Sequence, residues 1–106
     1  MRKALIKIHN IRAGIFVEES QEHYVFQYDE EYEGPPISLT MPVRTEAYEY
    51  KSFPPFFDGL LPEGIQLEGL LKKYKIDQND YFQQLLVTGL DLVGAVTLEK
   101  TISPNE

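Results

Sequence analysis

The 106-residue chain has no cysteine, no tryptophan and only two histidines. Without cysteine no disulfide can tie the chain, which fits a reducing compartment. Zinc needs three or four ligands, so His9 and His23 read as strand-surface or turn residues and no cofactor is expected. Long apolar runs are missing too. The opening stretch MRKALIKIHNIRAGIF is interrupted by Lys7, His9, Asn10 and Arg12. That pattern fits neither a signal peptide nor a membrane span, and it points to the cytoplasm with no membrane partner. Further absences bear on chemistry: no G-x-x-x-x-G-K-[ST] phosphate loop, no G-x-G-x-x-G and no G-x-S-x-G elbow. Ser20, Ser38, Ser52 and Ser103 have no base partner in the sequence. Nothing in the chain argues for an enzyme.

Basic side chains are scarce. Ten Lys and Arg stand against 17 Asp and Glu, a formal net charge of −7. Direct nucleic-acid binding usually leaves a basic footprint, so this balance disfavours it. The acid is densest in DEEYE, Asp29 to Glu33. A calcium loop would need spaced ligands and a glycine, which the run lacks, and a solvated turn is the simpler reading. Mimicry of nucleic acid on a basic partner surface is a further reading, although the charge forms no continuous stripe.

What remains is enough for one domain of common size, able to bury most of its unfolded surface without a metal or disulfide. The first half reads as strands. KALIKIH alternates, with Ala4, Ile6 and Ile8 on one face. Asn10 suits a tight turn into IRAGIFV, where Ile11, Ala13, Ile15 and Val17 share a face. EESQE reads as a polar turn before HYVFQY, in which Tyr24, Phe26 and Tyr28 oppose His23, Val25 and Gln27. After Gly34-Pro35-Pro36, ISLTMPV reads as a short strand, placed at an edge because Pro42 cannot donate to a ladder.

The second half changes period. Leu67, Leu70, Leu71 and Tyr74 fall on one stripe of a helix, which Gly69 weakens by about 1 kcal/mol. IDQNDYFQQLLVTG predicts a second helix, capped by Asp77 or Asn79 and closed by Gly89, with Tyr81, Phe82, Leu85 and Leu86 as its apolar side. VGAVTLEK returns to a strand. The expected fold is α+β: an antiparallel β-meander with helices packed on one face and the final strand returning to the sheet. The domain is expected over residues 1–100, with 101–106 a flexible tail.

One stretch sits awkwardly in this scheme: FPPFFDGLLPEGIQLEGLLKKY, residues 53–74. Turns are normally polar, yet Leu60 and Leu61 lie between Gly59 and Pro62. Pro54 and Pro55 can open a short helix carrying Phe56 and Phe57, which Asp58-Gly59 would end. Asp58 and Glu63 flank the leucines; capping and turn hydrogen bonds account for them as well as an acid/base pair does. The apolar side chains either plug the helices onto the sheet or offer an anchor to a partner's groove.

FFDGLLPEG (Phe56–Gly64), followed about 25 residues later by GLDLVGAVTL (Gly89–Leu98), resembles the N-terminal subdomain of HipA-type toxin kinases. The resemblance spans about residues 2–100 and includes ISLTMPV, similar to that family's LSLSLP strand. Two departures stand out. Many relatives carry an arginine early in the helix after the corner, where this chain has Gln66, Leu67 and Glu68, and many read GRD where it has Gly89-Leu90-Asp91. The kinases continue for several hundred residues, and their ATP-binding and catalytic motifs lie in that further part, so phosphoryl transfer has no machinery here.

The resemblance implies a split arrangement similar to HipBST. There a standalone HipS-like protein acts as antitoxin or regulator of a kinase, HipT, and a HipB-like DNA-binding protein is the third component. The initial methionine and polar tail lead us to expect the standalone form. The function implied is a non-catalytic antitoxin that neutralises a HipT/HipA-like serine/threonine kinase by direct contact, reaching a HipB-like protein only through the complex. The alternative is a separated N-terminal lobe extension that supports kinase activity or substrate docking. The candidate contact residues are Phe57, Asp58, Leu60, Leu61, Pro62, Glu63, Gly64 and Ile65.

Overall fold

A computed structural model describes residues 1–89 and 95–101. Among them the strands are β1 (Arg2–Ile8), β2 (Ile11–Ser20), β3 (His23–Tyr28), β4 (Tyr48–Tyr50) and β5 (Val96–Lys100). The helices are α1 (Pro55–Asp58), α2 (Gly64–Tyr74) and α3 (Tyr81–Thr88). One antiparallel sheet runs in the order β4-β3-β2-β1-β5, so the last strand returns to pair with the first. The helices lie on one side of the sheet, as the α+β reading expects.

The β1–β2 turn follows from its residues. His9 and Asn10 both have positive φ, 51° and 66°, the backbone that matches a two-residue hairpin to strand twist. Ala4, Ile6 and Ile8 are buried in β1, and Tyr24, Phe26 and Tyr28 in β3, as their alternation predicts. β2 departs from its predicted face. Its register with β1 slips between Ile6 and Lys7, leaving Ala13 as an extra residue. Such a bulge reverses the side chains on one side of it. Ile11 is therefore exposed, Ile15 and Val17 are half-buried, and Phe16 enters the core opposite Ala4. Next to the bulge, a Cβ on Gly14 would overlap the Gln27 carbonyl oxygen, so this approach of β2 to β3 requires glycine.

ISLTMPV is not a strand. Among the described residues its pairing is a bridge between Ser38 and Met41 across a tight turn, because Ser38 supplies local partners: its Oγ accepts from Thr40 N (3.2 Å) and its carbonyl from Met41 N (3.0 Å). Tyr28 holds both ends of this segment, donating its hydroxyl to Met41 O and accepting from Ile37 N (2.9 Å). The edge strand is instead YEY, Tyr48–Tyr50. EESQE likewise contributes most of its length to β2, and the turn is Gln21-Glu22.

Four phenylalanines fill the space between sheet and helices. Phe16 stacks on Phe57 at 4.0 Å between ring centroids and lies 5.3 Å from Phe82, and all three are fully buried, with Phe26 beside them. Leu85, Leu98, Ile37 and Met41 complete the layer. Asp80, rather than Asp77 or Asn79, caps α3, accepting from Gln83 N (3.2 Å), while Asp77 accepts from Asn79 N within the preceding turn. Asp80 is free to cap because Arg2 secures it from the sheet: the guanidinium forks onto Glu18 (2.7 and 2.8 Å) and reaches Asp80 (3.2 Å). Gln84, fully buried in α3, donates to the Asp77 and Gln78 carbonyls. The expected tail beyond Thr101 and part of GLDLVGAVTL fall outside the described residues.

Candidate functional site

The proline-rich corner is built as its residues dictate. Pro54 is extended (φ −62°, ψ 137°) and Pro55 opens α1, where proline's fixed φ suits the first turn. After Asp58 the chain tightens rather than straightening. Leu60 N bonds to Phe57 O and Leu61 N to Asp58 O, each at 3.1 Å. Glu63 then extends (φ −128°, ψ 163°), and Gly64 enters α2 with φ +61°, a backbone open to glycine at no steric cost.

The eight candidate contact residues divide by burial. Phe57 is fully buried against Phe16 and Phe26, so it fastens the corner from within and offers no surface to a partner. Leu60 and Leu61 are half-buried and pack on the core, which answers why two leucines sit in a turn. Pro62 is half-buried; Asp58, Glu63 and Gly64 are exposed. Ile65, in the first turn of α2, is 86% exposed. A β-branched apolar side chain so placed gains nothing from water, and it stands exposed beside the carboxylate-bearing Asp58 and Glu63 of the same corner.

The capping roles expected of Asp58 and Glu63 are not taken up by their side chains. Glu63 occupies the N-cap of α2 without a side-chain cap bond, and Asp58 makes no side-chain hydrogen bond or ion pair among the described residues. Both carboxylates are therefore available at the surface. The α2 stripe is thinner than its period predicts. No residue of α2 is fully buried: Leu67, Leu70 and Leu71 are half-covered and Tyr74 is 48% exposed.

Tyr81, expected on the apolar side of α3, is 40% exposed, and Leu39 and Ile11 are among the exposed apolar residues that escaped the sequence reading. Leu39, 97% exposed, crowns the Ser38–Met41 turn, and Ile11, 64% exposed, was turned outward by the bulge. The flanking hydroxyls of Ser38 and Thr40 are the signal that marks the first; nothing in the local pattern marks the second. Among the described residues no helix is long and apolar enough to cross a membrane, and no group of three or more His, Cys, Asp or Glu is placed to hold a metal.

The arrangement is that of a small single-sheet α+β domain with a stiffened apolar corner between two helices. Comparison with known proteins gives it a family. A model of the HipA N-terminal domain matches residues 4–99. The solved structure described as the N-terminal domain of HipA toxin superposes with a TM-score of 0.74 at 27% identity, over 95% of this chain and 93% of that one. An uncharacterized protein of Haemophilus influenzae is 30% identical over 82 residues, 77% of each chain. The chain belongs to the HipA N-terminal domain family, which is associated with toxin–antitoxin systems.

Proposed function

We propose that this chain is a non-catalytic, cytoplasmic antitoxin or regulatory subunit that binds a HipT/HipA-like serine/threonine kinase and neutralises it by direct contact. The observation that carries the reading is Ile65, an exposed isoleucine on a corner whose backbone is already fixed. An anchor presented in one conformation loses little freedom on binding, and a few such residues supply most of the energy of an interface. Leu61 and Glu63 flank it, and the contact falls near the kinase's active-site cleft. A HipB-like DNA-binding protein is engaged through the kinase, since a net charge of −7 suits no direct hold on nucleic acid.

The test is kinase activity with and without this chain, using a HipA-type kinase from the same cells. Ile65→Asp and Leu61→Asp are expected to abolish inhibition. Ile65→Asp leaves the circular dichroism spectrum and thermal midpoint unchanged, because the side chain it replaces touches little. Normal inhibition by both variants would reduce the corner to core packing. A second reading, a separated lobe extension that supports kinase activity, draws on the superposition with a HipA toxin domain over 95% of the chain. Stimulation of the kinase in the same assay would favour it.

A further inference from the structure

Away from the corner, a cleft of about 600 Å³ opens between the His9-Asn10 turn and the loop from Asp29 to Pro35. Hydrogen bonds and a ring contact brace its walls. Asp29 N bonds to Ala13 O (2.8 Å) and Tyr32 N to Asp29 O (3.1 Å). The Tyr32 ring stacks on Tyr28 at 5.8 Å and its hydroxyl donates to Pro35 O (2.6 Å). The lining is apolar where Ile8, Ile11, Tyr32 and Pro35 contribute, and Ile11 is 64% exposed.

Charge decides what such a cleft accepts. Arg12 also lines it, but its guanidinium is engaged, pairing with Asp29 at 2.7 Å. Glu30, Glu31 and Glu33 remain, and none makes a hydrogen bond or ion pair among the described residues. Three carboxylates with no partner among the described residues, beside an exposed isoleucine, are complementary to a chain segment that carries both cationic and apolar side chains. A purely apolar ligand would strand the carboxylates, and a purely cationic one would leave Ile11 in water. We propose that this cleft docks a basic–apolar peptide segment of a protein partner, with an aliphatic side chain on Ile11 and lysine or arginine facing the glutamates. The site is separate from the Ile65 corner and does not depend on the kinase reading.

The test uses the full chain and a fluorescein-labelled peptide of alternating lysine and leucine, with lysine–serine and glutamate–leucine peptides of equal length as controls. Polarisation reads affinity, and amide shifts in a nitrogen-15 spectrum read location. The lysine–leucine peptide is expected to bind more tightly than either control and to move the amides of Ile11 and of residues 29–34. Combined Glu30→Gln, Glu31→Gln and Glu33→Gln is expected to weaken it about tenfold, the scale of three exposed ion pairs together. Ile11→Ser, at an exposed position, weakens it while the thermal midpoint holds. Equal binding by the lysine–serine peptide, an unaffected triple variant, or shifts centred elsewhere would each overturn the proposal. Concentration-dependent shifts of the same amides without peptide would assign the cleft to a second copy of this chain and overturn it as well.

Discussion

Truncating Phe57 to alanine removes the ring that holds the corner to the sheet. Phe57 is fully buried, stacked face to face on Phe16 at 4.0 Å with 12° between ring planes, and in edge contact with Phe56 at 5.2 Å. Loss of a buried phenylalanine costs about 3–5 kcal/mol in transfer and cavity terms, and the stacked partner adds to the upper part of that range. A domain of this size has roughly 5–15 kcal/mol in total, so the variant should stay folded with a small margin. Its thermal midpoint should fall by at least about 12 °C. Urea titration followed by far-ultraviolet circular dichroism measures the loss, with the slope against denaturant checking that the unfolding reaction is unchanged. A loss below about 1 kcal/mol at constant slope would refute the reasoning, because α1 would then be held by its backbone and not by its phenylalanine.

Asp80→Ala removes the α3 cap and one arm of the Arg2 network, and should cost about 1–2 kcal/mol by the same titration; an unchanged midpoint would mean that the network is solvated away. Lys75 ends α2 in the left-handed region at φ 54°, so Lys75→Gly should stabilise by up to about 1 kcal/mol, since only glycine sits there without strain. Burial raises the Tyr28 hydroxyl above its ordinary value of 10.0, and burial likewise raises Tyr24, Tyr32 and Tyr50. The fold therefore prefers neutral tyrosine: this stabilisation is complete below the unfolded value near 10 and is lost as pH climbs through the raised folded values. Thermal midpoints should drop above about pH 10, and a midpoint that stays level as pH climbs through that range would contradict it.

Much of the fold was legible because it rests on local rules. The 3.6-residue and two-residue periods placed β1, β3 and the helices, and Pro54-Pro55 with Asp58-Gly59 bounded α1. The failures arose where a non-local contact outweighs a pattern. A one-residue bulge at Ala13 is invisible to alternation, yet it decides that Phe16 and not Ile15 meets the helices. ISLTMPV alternates like a strand, but a buried Tyr28 hydroxyl satisfies Met41 O and Ile37 N from outside any ladder and leaves Ser38 to close a turn. Asp77 and Asn79 have the right chemistry for a cap, and Asp80 takes the position because Arg2 reaches it from the sheet. At the corner, Phe57 and Ile65 are both bulky and apolar. Only the packed structure separates the one that anchors from the one that protrudes.

That separation explains the segment FFDGLLPEGI as one device. Phe57 fixes its start from below, Leu60 and Leu61 grip the core on the way round, and Pro62 and the extended Glu63 set the direction in which Gly64 turns into α2. Every one of these features spends conformational freedom during folding, so little would be left to lose if Ile65 meets a partner as proposed. No residue of α2 is fully buried, so the precise part of the surface is the corner rather than the helix that follows. On the proposed reading, affinity then depends on the backbone as much as on the isoleucine: Gly64→Ala leaves Ile65 in place but forces a left-handed alanine, and it should weaken inhibition without removing a single contact atom.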